Sequence, residues 1–240
     1  YRVIAFSSEE KAKKAYEEYR LFTDDVYLYP ARDLLFYYAD IKGKVLTDQR
    51  MQVLRALIEK KEGSSVTVIT TMDAFLDGLP HPGEIRAARI CAAGGDVMDL
   101  TEFEERLASM GYERESQIEG PGQFAVRGGI VDVFPLTEEL PVRIELWGDE
   151  IDSIRSFDVE SQRSVENLSE ITIYPASENW ADGLKTVSFL EYFPKDKTLL
   201  FLDEPHRLQE MAEEVEQEYF HSRENRIEAG MDEAREEQLK

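Results

Sequence analysis

The sequence predicts a mixed α/β fold. A parallel-sheet α/β domain is expected over residues 1–92, an α+β stretch with an antiparallel sheet over 93–176, and a return to the first domain over 177–240, ending in a charged helical tail. Three observations carry this. Residues 1 to about 92 alternate short β-rich runs with helical stretches, the order of an α/β layer fold. Between Gln123 and Phe157, alternating strands follow one another through tight turns, as in an antiparallel meander. The run Thr198-Leu199-Leu200-Phe201-Leu202 is continuously apolar, the pattern of a strand buried in a parallel sheet.

The elements read in order as follows. Arg2 to Phe6 is a strand, and Ser7 with Glu10 forms a capping-box pattern before a helix that aligns Ala12, Ala15, Tyr16 and Tyr19. Val26 to Tyr29 is the next strand. Thr47 is placed to cap a helix whose Met51, Leu54, Leu57 and Ile58 face the core, and Gly63 releases the chain into the strand Val66 to Thr70. Leu100 to Met110 reads as a helix stopped by Gly111. Strands follow at Tyr112–Gln117, Gln123–Phe134, Val142–Trp147 and Glu150–Phe157, the last two joined by the turn Gly148-Asp149. Tyr174-Pro175 closes this stretch. From Pro205 a helix sets Leu208, Met211, Ala212, Val215 and Tyr219 on one face, and beyond about His221 the chain is almost wholly charged, a solvated end.

The balance of 28 Lys and Arg against 50 Asp and Glu gives a net charge of −22, a field that repels phosphate backbones and argues against independent nucleic-acid binding. A partner with basic patches is more natural. The single cysteine, Cys91, excludes an internal disulfide framework and points to a reducing cytoplasm; its apolar surroundings predict a buried, inert thiol. No window approaches the roughly 20 apolar residues of a membrane span, and no secretory signal opens the chain. The chain begins on Tyr1, directly in a strand, so further sequence upstream is expected.

One motif has a catalytic look. Asp203-Glu204-Pro205-His206 follows the apolar strand as the acidic motif of helicase-type ATPases does, where the acids hold Mg²⁺ and orient water. Its partner, G-x-x-x-x-G-K-[ST], is missing: at Gly43-Lys44 the first glycine is replaced by Tyr38 and the hydroxyl by Val45. No backbone cradle remains for a triphosphate, so the acids are expected to start a helix, and neither cofactor nor metal is expected. His81, His206 and His221 have no ligand spacing, and no G-x-S-x-G elbow exists. No catalytic residue is therefore assigned.

The strand Val142 to Trp147 carries a different chemistry. Val142, Ile144 and Leu146 fall on one side, leaving Arg143, Glu145 and Trp147 on the other, with Arg127 able to share that outer face. Arginine and tryptophan are the residue types that dominate interface energetics. Arg127, Arg143 and Trp147 are thus candidate partner-binding residues pointing away from the core. The alternative is an ordinary sheet surface in which Arg127 pairs with Glu145 across the strands.

The runs FAVRGGIVDVFP and PVRIELWGDEIDSIRSFD, with Gln162-Arg163-Ser164 after them, closely resemble the second domain of the UvrB-like module at the N-terminus of bacterial transcription-repair coupling factors (Mfd). In weaker form the resemblance runs from Val3 to about Ala176. It implies a helicase-like first domain without a functional phosphate loop, interrupted by an inserted α+β domain that docks on UvrA, and it places Arg127, Arg143 and Trp147 at the family's docking positions. The aromatic position is often Phe in that family; Trp147 keeps the apolar anchor. UvrB itself carries a tyrosine-rich DNA-gripping hairpin near the region of Tyr29 to Thr47, which is short here, so Tyr37 and Tyr38 are expected to pack under the next helix. The implied role is a non-catalytic adaptor that recruits UvrA, with RNA polymerase and DNA met only through other parts of a parent protein and intramolecular contacts within it possible. The alternative is a fragment of a UvrB-type helicase ATPase whose Walker motif lies outside this sequence.

Overall fold

Val3 and Ala5 turn inward along the first strand, β1 (Arg2–Phe6), of a computed structural model that describes residues 1–31, 40–181 and 183–228. Two compact units form, one from Tyr1–Pro82 with the segment from Gly183 onward, the other from Gly83–Asp182. After β1 comes α1 (Glu9–Tyr19), capped by Ser8 and not by Ser7: Ser8 is in an extended conformation and its hydroxyl accepts from the Lys11 amide. Ser7 instead donates to Glu204 at 3.2 Å, which replaces the expected capping box. β2 (Val26–Tyr29) follows. α2 (Asp40–Glu59) begins well before Thr47, which therefore sits inside the helix and caps nothing, while Met51, Leu54 and Leu57 are buried as expected. Tyr37 and Tyr38 lie outside the described residues. β3 (Thr67–Thr71), α3 (Met72–Phe75) and β4 (Gly78–Pro80) complete this segment.

The second unit begins with α4 (Pro82–Ala88), β5 (Ile90–Ala93) and α5 (Leu100–Ser109), the last capped by Asp99, which accepts from the Glu102 amide. Gly111 takes the left-handed conformation, φ +86°, that lets the chain leave the helix. The sheet strands are β6 (Glu113–Arg114), β7 (Gln123–Arg127), β8 (Ile130–Val133), β9 (Val142–Trp147), β10 (Glu150–Phe157) and β11 (Ser164–Leu168), and β12 (Glu170–Ile173) pairs antiparallel with β5. They lie in the order β11-β10-β9-β8-β7-β6. All pairs are antiparallel except β6 with β7, which is parallel and only two residues long. One sheet face packs Val131, Val133, Val142 and Ile144 against Phe103 and Leu107 of α5 and Ile171 and Ile173 of β12.

Cys91 is exposed, contrary to the expectation of a buried thiol. Strand alternation explains it: Ile90 and Ala92 turn into the core, and Cys91 faces outward opposite Thr172, its sulfur 3.8 Å from that hydroxyl.

Returning to the first unit, β13 (Thr186–Ser188) pairs with β4, two 3₁₀ turns follow at Phe189–Tyr192 and Lys195–Lys197, and the chain reaches β14 (Leu199–Leu202) and α6 (Pro205–Glu228). The resulting sheet, β14-β1-β3-β2, is parallel throughout. β14 joins it as expected but is not buried: it is an edge strand, and all four residues are 42–60% exposed. A continuous apolar run specified the parallel pairing; position in the sheet, which the run does not encode, set the burial.

Among the described residues, no helix is long and apolar enough to cross a membrane.

Candidate functional site

Two short connections build the outer face of the six-stranded sheet. Gly128, at φ +62°, and Gly129 turn β7 into β8, and Gly148, at φ +65°, turns β9 into β10. Cross-strand register then sets the neighbours. Asp132 stands opposite Arg143, which stands opposite Arg155; in the next row Arg127 faces Ile130, which faces Glu145. Trp147 pairs with Glu150 at the hairpin end. A second small apolar cluster of Ile118, Ala125, Phe134 and Phe157 covers part of this face.

The three predicted site residues share this face but differ in how they are held. Trp147 is 84% exposed, an unusual position for the largest aromatic side chain. Arg127 is 46% exposed, and its Nη2 donates to Asp132 Oδ2 at 2.6 Å. Arg143 is only 16% exposed. Its Nε donates to Asp132 Oδ1 at 2.6 Å and its Nη2 to Asp132 Oδ2 at 2.9 Å, a forked ion pair. That nitrogen also meets Gln162 Oε1 at 2.9 Å, and the guanidinium lies 4.4 Å above the Phe157 ring. The hydrogen bonds that Arg143 donates to Asp132 raise its pKa further above its already high value, so its charge is permanent.

The predicted alternative pairing of Arg127 with Glu145 does not form; Glu145 pairs with Arg155 and accepts from Ser153, and Arg127 turns to Asp132. The reason is the buried carboxylate of Asp132, 2% exposed, which must be paired in place, whereas Glu145 remains partly solvated. Asp132 and Gln162 were missed as site residues. A signal for Asp132 existed: it is the one charge in the apolar strand Ile130-Val131-Asp132-Val133. Gln162 is presented by a tight loop in which Ser161 bonds Asp158 through both its amide and hydroxyl, and Gln162 itself adopts φ +58°.

Elsewhere, the acids Asp203 and Glu204 do not stand open. Lys11 Nζ contacts Asp203 at 3.1 Å and Glu204 at 2.8 Å. The Glu204 carbonyl accepts from the Leu208 amide, and Pro205 occupies the first position of α6, so the pair opens a helix. No group of three or more His, Cys, Asp or Glu side chains suited to a metal occurs among the described residues.

This arrangement defines a sheet surface with a fixed charged cluster and a solvent-facing aromatic, and the stretch that forms it, residues 91–179, matches the family described as the UvrB interaction domain. The chain is also similar to the transcription-repair coupling factor of Bacillus subtilis (strain 168), 35% identical over 170 residues, which is 70% of this chain and 14% of that protein. Those of Staphylococcus haemolyticus and Staphylococcus aureus (strain USA300) are 38% identical over 155 residues and 37% identical over 159, which is 64% and 65% of this chain and 13% of each of those proteins. Over the matched stretch the chain is a homologue of the transcription-repair coupling factors, and its residues 91–179 form a UvrB interaction domain. The matched stretch spans about one seventh of these relatives.

Proposed function

We propose that this chain is a non-catalytic adaptor module of a transcription-repair coupling factor that recruits UvrA in nucleotide excision repair through the outer face of its six-stranded sheet. The observation that carries the reading is Trp147, 84% exposed on the same sheet face as Arg127 and within the segment matching the UvrB interaction domain. A large aromatic held out in water at a rigid hairpin end gains its burial when a partner covers it. Around Asp132 two guanidiniums, of Arg127 and Arg143, answer one carboxylate, which leaves local positive charge at the exposed Arg127 in a chain carrying −22. That spot fits an acidic group on UvrA next to an apolar pocket. The first unit serves as a helicase-like scaffold whose acidic motif is bridged by Lys11. RNA polymerase and DNA are met through other parts of the parent protein, in the cytoplasm.

Titrating UvrA against the chain and against Arg127→Ala and Trp147→Ala tests this. Each variant is expected to lose about 2 kcal/mol, roughly 30-fold in affinity, with unchanged circular dichroism. Two folded variants with full affinity would overturn the docking reading. Adding Mg-ATP tests the adaptor role separately: neither hydrolysis nor a rise in melting temperature is expected.

A further inference from the structure

A carboxylate inside an apolar strand is costly unless its charge is answered, and Asp132 is answered twice. Arg143 approaches edge-on through Nε and Nη2 and fills one side of the carboxylate. Arg127 reaches Oδ2 from the other side, at 2.6 Å. Behind this pair, Phe157 carries the flat face of Arg143 and Gln162 pins the same Nη2. The two guanidiniums are thus unequal. Arg143 is enclosed on three sides, while Arg127 is fixed at one nitrogen and remains nearly half exposed.

We infer that Asp132 is a positioning residue of the docking face: it holds Arg127 in its outward geometry, braced by the Arg143–Phe157–Gln162 frame, so that an acidic group of the partner meets an arginine already ordered. This rests on the docking reading above. Its physical content is preorganisation, because a long, free arginine loses rotamer freedom on binding and a pre-ordered one does not. It also divides the roles on the face. Trp147 is the apolar anchor, Arg127 the charged contact, and Arg143 chiefly the brace that keeps Asp132 in place.

The experiment uses the whole chain and UvrA. Asp132→Asn keeps the shape and one acceptor oxygen but removes the charge, and is expected to bind UvrA about tenfold more weakly while remaining folded. Arg127→Ala, costing roughly 30-fold in the unaltered chain, should then weaken binding by only about threefold in the Asp132→Asn background, because residues acting through one network are not additive. A purely structural Asp132 would leave the Arg127 effect whole. The side-chain Nε–H signals of Arg143 and Arg127 in ¹⁵N-arginine-labelled chain should shift in Asp132→Asn and stay in place in Trp147→Ala. Should Asp132→Asn fail to fold, Arg143→Lys, which keeps the charge but removes the fork, is expected to weaken docking and shift the Arg127 signal in the same way. Full affinity with unmoved arginine signals in a folded Asp132→Asn or Arg143→Lys chain overturns the inference. If Arg127→Ala and Trp147→Ala leave affinity intact, the docking face itself is wrong and the inference falls with it.

Discussion

The backbone of Gly129 lies against that of Leu146. The Leu146 amide donates to the Gly129 carbonyl at 2.8 Å, and a Cβ placed on Gly129 would stand 2.9 Å from the Leu146 carbonyl oxygen. No side chain fits there unless the strands part, since the obstacle is backbone. Arg127 lies two residues before this contact and Trp147 one after, so the contact sets the spacing of the outer face. Gly129→Ala is expected to lower stability by about 1–3 kcal/mol in denaturant melts. Gly148 offers a control: open space surrounds it, and alanine there should cost about 1–2 kcal/mol from its left-handed backbone alone, without disturbing the β8–β9 amides in NMR spectra. Equal spectral disturbance by both variants would refute the close-approach account.

Neighbouring positions on β9 should separate by function. Ile144 is fully buried beneath the sheet, and Ile144→Ala is expected to lose about 2–5 kcal/mol of stability by leaving a cavity. Trp147→Ala should stay within about 0.5 kcal/mol of the unaltered chain. Arg143→Ala falls between them, at about 1–3 kcal/mol, because it strips the buried Asp132 of its forked partner. Thermal and chemical denaturation of the three variants checks the order; a Trp147→Ala loss as large as that of Ile144→Ala would place Trp147 in the core.

Strand alternation made the outer face legible: Val142 and Ile144 turn inward, Arg143 and Trp147 outward, and Gly148-Asp149 turns where the sequence put it, whereas the run expected as one strand, Gln123–Phe134, is broken at Gly128-Gly129 into the hairpin of β7 and β8. What alternation could not reveal is how the outer face is finished. Arg143 points outward yet is mostly covered, because the loop from Asp158 to Arg163 folds back and brings Gln162 to it, a return set by side-chain bonds to Asp158 and not by periodicity. The same limit applies to β14. Its composition specified a parallel strand, but its place at the sheet edge depends on which strands pair, and pairing between Leu199–Leu202 and β1 spans nearly the whole chain. Ser7 and Ser8 show the finest grain: both are helix-capping types, and Ser8 caps while the adjacent hydroxyl is drawn to Glu204.

Arg50 is the charged side chain on which the first unit's packing depends. It is 2% exposed, stacks 4.2 Å over the Tyr29 ring, donates to the Pro30 carbonyl at 2.6 Å and lies 2.9 Å from Asp77. Replacing it with leucine removes the cation but leaves Asp77 and the carbonyl behind. The expected loss is about 3 kcal/mol, the low end for breaking a buried pair, since Asp77 keeps partial access to water. Equilibrium unfolding measures it; a loss below about 0.5 kcal/mol would mean the ion pair is irrelevant to stability.

The Lys11 clamp predicts the acid behaviour of the strand ends. Hydrogen bonds from Lys11, then from Ser7, hold the Glu204 carboxyl below the usual carboxylate range, and the bond to Glu204, then that to Asp203, raises the Lys11 pKa. A carboxyl depressed by folding contributes stability that is complete above its unfolded value and is lost as pH falls through the folded one; a raised lysine contributes below its unfolded value and loses that as pH rises through the folded one. At neutral pH both contributions are present. Glu204 also has its backbone at φ +53°, a left-handed position that costs a non-glycine residue energy. Lys11→Ala should therefore raise the Glu204 titration midpoint toward its ordinary value in carboxyl-resolved NMR and flatten the fall in stability on the acid side of that value. A titration of Glu204 identical in the two chains would show that the clamp is only a crossing of exposed side chains.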